Sequence, residues 1–82
     1  MKSFEESLAW QRGMDLNVAV DKALAESKNF GFKDQLFRAS LSICNNIAEG
    51  HEMPTVANQL QYLWVAKRSC NEVRSMLILA QR

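Results

Sequence analysis

The chain has 82 residues, of which 48% are hydrophobic, and 10 lysines and arginines against 9 acidic residues give a formal net charge of +1. This length allows one domain with a small core, and the hydrophobic content excludes a disordered segment. The near-neutral charge argues against a strongly basic nucleic-acid binder, and no apolar run of about 18 residues is present to span a bilayer.

The N-terminal third predicts one long helix over about residues 6–27. Ser3 and Glu6 have the spacing of a capping box, and apolar residues then recur with a helical period. A short link at 28–31 follows, whose asparagine and glycine suit a helix end. We expect Phe30, within that link, to fold back onto the core.

Two further amphipathic patterns predict helices over about 32–49 and 55–81. Gly50 follows the first of these patterns, where a helix C-terminus favours a residue with positive φ. Thr55 is placed to cap the N-terminus of the last helix. With few glycines and prolines and no strand pattern, the sequence predicts one all-α domain over 1–82, an antiparallel bundle of three long helices.

Cysteine and histidine usage gives no sign of a metal or redox site. Cys44 and Cys70 both lie within helical patterns, and we interpret them as small, reduced core residues rather than a disulfide. His51 is the only histidine, and its flanking glutamates lack the spacing of metal ligands. No nucleophile–base set and no phosphate-binding loop is visible, so we predict no catalytic residue, metal or cofactor.

The predicted second helix carries an unusual polar stripe, which is either a solvated face or a polar network inside an assembly. Amides and hydroxyls replace the lysines and glutamates typical of a solvated helix face. Arg38 is placed to pair with Asp34 four residues earlier, or to reach Glu72 on the third helix. The stripe consists of Asp34, Gln35, Arg38, Ser42, Asn46 and Glu49.

Basic and aromatic residues share one side of the predicted third helix. Lysine and arginine bind phosphates and tryptophan stacks on bases, so this side is a possible nucleic-acid face. The alternatives are a subunit contact or a solvated face, with Arg68 stacked on Trp64. The face consists of Trp64, Lys67, Arg68, Asn71 and Arg74.

The third helix also carries more apolar surface than the single stripe of a typical surface helix. Leaving all of it in water would expose a larger apolar patch than soluble monomers usually tolerate. We therefore predict a homo-oligomer, with a dimer or tetramer favoured and a pentamer as the alternative. The predicted interface consists of Leu60, Trp64, Val65, Met76, Ile78 and Leu79.

Several short segments resemble, in matching order, a bacterial family of four-helix bundles encoded by intervening sequences of 23S ribosomal RNA genes. The resemblance extends from about Leu8 to Ala80, and the Asn-Ile-Ala-Glu-Gly stretch is its most specific part. The matching segments are Trp10-Gln11, Asp34-Gln35-Leu36, Arg38-Ala39, Ser42-Ile43, Asn46-Ile47-Ala48-Glu49-Gly50, Leu63, Ala66-Lys67, Ser69 and Glu72-Val73.

The resemblance implies a small cytosolic helical bundle that assembles into rings, typically pentamers, and whose molecular role is largely unassigned. Distant relatives are accessory proteins of diversity-generating retroelements, which bind RNA and a reverse transcriptase. This chain has Cys44 where the family usually has proline, and Arg68 and Cys70 where glycine and leucine are usual. It also stops at Arg82, where the family continues into a fourth helix. We therefore expect a four-helix-bundle-like fold that lacks the last helix and is completed by oligomerisation.

Three functions are compatible with these patterns. The favoured one is a non-enzymatic, cytoplasmic, oligomeric scaffold or adaptor whose main partner is a second copy of itself. The alternative is an RNA- or DNA-binding accessory module that uses the basic face of the third helix. The third is ligand binding in a pocket between subunits.

Overall fold

The computed structural model describes residues 3–82. Within this part of the chain there is a short 3-10 turn at Phe4–Glu6, followed by three helices: α1 (Leu8–Ala23), α2 (Phe30–His51) and α3 (Val56–Ala80). The predicted all-α class is confirmed.

Helix α1 begins two residues later than predicted, because Ser7 rather than Ser3 provides its N-cap. Ser7 Oγ accepts a hydrogen bond from the backbone N–H of Trp10 at 3.3 Å, which satisfies one of the unpaired donors of the first turn. Ser3 instead caps the 3-10 turn by accepting from the N–H of Glu5 at 3.2 Å. The Phe4 ring contacts Trp10 edge to face, with ring centroids 5.3 Å apart.

The connection between α1 and α2 differs from the prediction in two ways. Helix α1 ends at Ala23 instead of residue 27, and Leu24 leaves the helical conformation to pack partly on the core. Asn29 was expected near the end of the first helix, but it begins the second. Its Oδ1 accepts a hydrogen bond from the N–H of Phe32 at 3.2 Å. Asn29 therefore serves as the N-cap of α2 and not as the C-terminal residue of α1.

The prediction that Phe30 folds onto the core is wrong, since this residue is 72% exposed. Phe30 is the first residue of α2 and lines a surface cleft together with Leu24 and Phe37. The adjacent end of the core is occupied instead by Leu24 and Phe32, which pack partly against the buried cluster.

Helix α2 is the central element of the fold. Within residues 3–82 it packs against both other helices, whereas no Cα atom of α1 lies within 8 Å of one in α3. The buried core cluster comprises Val20, Leu36, Ala39, Ile43 and Val73, with Leu16, Leu24, Phe32, Ile47 and Met76 packed against it. Helix α2 therefore lies between α1 and α3, which share the buried cluster without a close approach of their backbones. We call the side of the bundle between α1 and α3 the open side.

Two glycines allow the helices to approach closely. A Cβ on Gly50 would lie 2.8 Å from Tyr62 Cβ, and one on Gly13 would lie 3.2 Å from Cys44 Cβ. The predicted role of Gly50 as a helix end with positive φ is wrong, because every described glycine has negative φ and α2 continues to His51. The glycine is required here by tertiary contact, not by backbone conformation.

Helix α3 begins as predicted, with Thr55 Oγ1 accepting a hydrogen bond from the N–H of Asn58 at 3.2 Å, and it ends at Ala80. Both cysteines are free thiols. Cys44 is 1% exposed and packs in the core as expected. The expectation for Cys70 is wrong, since Cys70 is exposed: helical periodicity places it towards the open side of the bundle.

Candidate interaction surfaces

The polar stripe of α2 divides into an exposed part and a part that joins α2 to α3. Asp34, Arg38 and Glu49 are exposed. Arg38 Nε lies 3.0 Å from Asp34 Oδ2, which selects the local ion pair over the alternative pairing with Glu72. Both side chains are well solvated, so this pair contributes at most about 0.5 kcal/mol to stability.

The remaining residues of the stripe form hydrogen bonds at the α2–α3 seam. Gln35 Nε2 donates to Glu72 Oε2 at 3.3 Å. Ser69 Oγ lies 3.0 Å from Ser42 Oγ, and Asn46 Nδ2 donates to the Ser42 carbonyl at 2.8 Å and hydroxyl at 3.0 Å. The Gln35–Glu72 and Ser42–Ser69 contacts cross the seam in reversed chain order, as the antiparallel packing of α2 and α3 requires, whereas the Asn46 bonds lie within α2.

A second polar contact, at the α1–α2 seam, was not identified from the sequence. Asn17 is 7% exposed and Ser40 is fully buried. Ser40 Oγ lies 3.1 Å from Asn17 Oδ1 and 2.9 Å from the Phe37 carbonyl oxygen. The available signal was the position of Asn17 on the largely apolar arc of α1, where a buried amide requires a partner.

The side of α3 turned away from α2 is its outward face. Ala66, Ser69 and Val73 are buried against α2. Helical periodicity places residues about half a turn away from them, such as Trp64, Asn71 and Ile78, on the opposite side. The predicted nucleic-acid residues Trp64, Lys67, Arg68, Asn71 and Arg74 are all exposed there.

A cation–π contact occurs on this face, but with a different partner from the expected one. Lys67 Nζ lies 4.9 Å from the centroid of the Trp64 ring. Residues three and four positions along a helix can both reach such a ring, and here Lys67 makes the contact. The contact covers part of Trp64 and leaves the residue 60% exposed.

The structure sorts the predicted interface residues into three groups. Leu60, Trp64 and Ile78 are between 47% and 60% exposed and share the outward face. Leu79 is 63% exposed and lies at the edge of this face, on the same side of the helix as Arg68. Val65 is half-buried and Met76 packs partly against the core, so both contribute within the subunit.

Two exposed leucines missing from the predicted interface extend the apolar surface onto the open side. Leu63 is 47% exposed and Leu77 is 37% exposed. Their helical positions predicted a core stripe, because the sequence alone does not show that α1 and α3 stay apart. Leu63 also lines a groove of about 420 Å³ together with Ile47, His51 and Gln59.

Among the described residues, no group of three or more histidine, cysteine or acidic side chains could hold a metal ion. His51 contributes to the groove beside Leu63, and no thiol or charged group lines that groove with it. No helix within residues 3–82 is long and apolar enough to cross a membrane.

Comparison with known proteins places the chain in a family. No curated protein and no solved structure gives a match. The family model described as 23S rRNA-intervening sequence protein matches residues 5–82, which include all three helices and both polar seams. The chain therefore belongs to the 23S rRNA-intervening sequence protein family.

Proposed function

We propose that this protein is a non-enzymatic, cytoplasmic scaffold or adaptor that works as a homo-oligomer. The observation that carries the proposal is the outward face of α3. Leu60, Trp64 and Ile78 are each about half exposed on one side of one helix. Exposed apolar surface of this extent on one side of a helix marks an interaction site more often than it marks free surface.

The hydrophobic free energy available on α3 is comparable in size with the cost of association. Complete burial of a large apolar side chain contributes about 1.5–3 kcal/mol, so covering the exposed half of each contributes about 1 kcal/mol. With five such side chains on each of two subunits, the total is about 8–15 kcal/mol. Association itself costs about 4–15 kcal/mol. The five residues are Leu60, Leu63, Trp64, Leu77 and Ile78.

The open side of the bundle supports the same proposal. Since no Cα atom of α1 lies within 8 Å of one in α3, Leu63 and Leu77 stay partly exposed on this side. A neighbouring subunit packed there would cover these two leucines. Two-fold pairing is favoured because closed dimers are the commonest symmetric solution.

Sedimentation velocity and multi-angle light scattering across the micromolar range test this proposal directly. The expected result is a mass of at least two chains that decreases only on strong dilution. A well-folded particle with the mass of one chain across this range contradicts the proposal. Replacing interface residues then tests which surface is used, as developed in the Discussion.

Nucleic-acid binding is the second candidate, and the cations of the outward face support it. Lys67, Arg68 and Arg74 are exposed there, and Trp64 offers a ring for base stacking. We expect weak, salt-sensitive binding because few phosphate contacts are available. Changing all three cations to glutamate should abolish any shift of RNA or DNA in a low-salt gel assay, and binding that survives this change would place the site elsewhere.

A further inference from the structure

A surface cleft of about 290 Å³ lies along the seam between α1 and α2. Its volume is at the lower end of the range found for small-molecule sites, roughly 300–1,000 Å³. Apolar side chains form most of its wall, and one amide, one carboxylate and one ammonium group lie among them. The lining residues are Met14, Asn17, Val18, Asp21, Lys22 and Phe37.

The amide of Asn17 is the buried polar group of this cleft. Asn17 is 7% exposed, and its Oδ1 lies 3.1 Å from Ser40 Oγ. Its Nδ2 carries two N–H donors, and no acceptor within residues 3–82 bonds to them. Every fully enclosed side-chain nitrogen and oxygen of the described residues has a partner, so Nδ2 must reach solvent, and the cleft is the opening that Asn17 lines. A ligand oxygen placed there would accept a hydrogen bond that the protein leaves unmade.

Asp21 supplies the complementary chemistry four residues later on α1. Its carboxylate is exposed, and it forms no ion pair with any residue between 3 and 82. Residues four apart on a helix have Cβ atoms about 5–6 Å apart, so neighbouring atoms of one small ligand can reach both side chains. An amine would donate to Asp21 while a carbonyl oxygen beside it accepts from Asn17.

The cleft continues into a second one of about 340 Å³, because Asp21 and Phe37 line both. Lys33 and Asp34 add one charge of each sign to the second cleft. With Asp21 and Lys22, the two clefts carry two carboxylates and two ammonium groups. This balance favours a dipolar ligand with an apolar body over a simple anion or cation.

We propose that this cleft binds an apolar residue with a free α-amine, either as a free amino acid or as the first residue of a peptide. Asp21 accepts a hydrogen bond from the amine, Asn17 donates one to the neighbouring carbonyl oxygen, and Phe37 contacts the apolar side chain. Binding is weak, in the millimolar range, because an open cleft covers only part of the ligand. The site is built from α1 and α2 and is separate from the α3 surfaces of the proposed function.

NMR spectroscopy of the isotope-labelled full chain tests the site, because the side-chain N–H signals of Asn17 respond directly to a bound oxygen. The probes are L-leucine, L-leucinamide as a model of a peptide N-terminus, and N-acetyl-L-leucinamide, which lacks the amine. We expect the first two to shift the Asn17 signals and the acetylated probe to bind at least tenfold more weakly. Tighter binding of L-leucine identifies a free amino acid, whose carboxylate also reaches Lys22, and tighter binding of L-leucinamide identifies a peptide N-terminus.

A matched pair of variants separates the site from general charge effects. Asp21→Asn keeps the size of the side chain and removes its charge, and it should weaken L-leucinamide binding at least tenfold. Asp15→Asn makes the same change at an exposed position of α1, about a third of a turn away from Asp21 around the helix. This control should bind like the wild-type protein.

Three results would overturn the site: equal binding of the acetylated probe, binding unchanged in Asp21→Asn, or Asn17 signals that no probe shifts. Each of them leaves self-association through α3 untouched, since sedimentation measures that property independently. A single-chain mass in sedimentation would contradict the proposed function and leave the cleft in place.

Discussion

Replacing Trp64 and Ile78 together with lysine should separate the subunits without unfolding them. Trp64 is 60% exposed and Ile78 is 47% exposed on the outward face of α3. Both positions are solvated in the isolated subunit, so lysine is tolerated there. In an assembly that buries this face, each lysine would have to lose its hydration. If it stayed hydrated instead, the apolar side chains around it would remain exposed to water.

The loss can be sized from the exposed areas. An aromatic side chain buries about 150–250 Å², so covering 60% of Trp64 removes roughly 90–150 Å² from water, which is about 2–4 kcal/mol. The exposed half of Ile78 adds about 1 kcal/mol. Both subunits carry the changes, giving about 6–10 kcal/mol for a two-fold pair. Even half of this weakens association by about 100-fold or more.

Sedimentation equilibrium at micromolar concentration, with circular dichroism to confirm helicity, provides the assay. The control is Gln11→Lys with Asn45→Lys, which adds two lysines at exposed polar positions of the other two helices. The control should keep the wild-type mass. The reasoning is refuted when Trp64→Lys with Ile78→Lys keeps the wild-type mass, or when the control dissociates to the same degree.

Other predictions concern stability and thiol chemistry. Gly50→Ala should lower the free energy of unfolding by about 1–3 kcal/mol in urea, because its Cβ would lie 2.8 Å from a side-chain atom of α3. Gly31→Ala, whose Cβ meets only one atom at 4.0 Å, is the control and should be neutral or stabilising; equal destabilisation would contradict the contact. Thr55→Ala should cost about 1 kcal/mol through loss of the α3 N-cap, seen as a lower urea midpoint, whereas an unchanged midpoint would show the cap to be dispensable. Cys70 should react with a thiol reagent in the folded protein and Cys44 only after unfolding, as read by mass spectrometry, since Cys70 is exposed and Cys44 buried; prior reaction of Cys44 would contradict the packing.

Local features of the chain were predictable because they depend on neighbours in sequence. The helical period and the scarcity of helix breakers were enough for the all-α class and for the central part of each helix. The Thr55 cap and the Asp34–Arg38 pair were also predictable, since each involves groups within four residues. The ends of the helices were harder to predict, because several residues near each end could serve as a cap. The sequence does not show that Ser7 and Asn29 are the ones that cap α1 and α2.

What only the tertiary structure decided is which surfaces meet. Helical periodicity assigns Gly50 equally well to a helix end or to a close contact, and the approach of Tyr62 selects the contact. In the same way, the sequence shows Ser42 and Ser69 only as polar positions on two separate helices. The register of α2 against α3 brings their hydroxyl oxygens within 3.0 Å. The separation of α1 from α3 leaves Leu63 exposed on the open side. A wheel diagram shows which residues share a side of a helix, but which side is covered depends on packing between segments far apart in sequence.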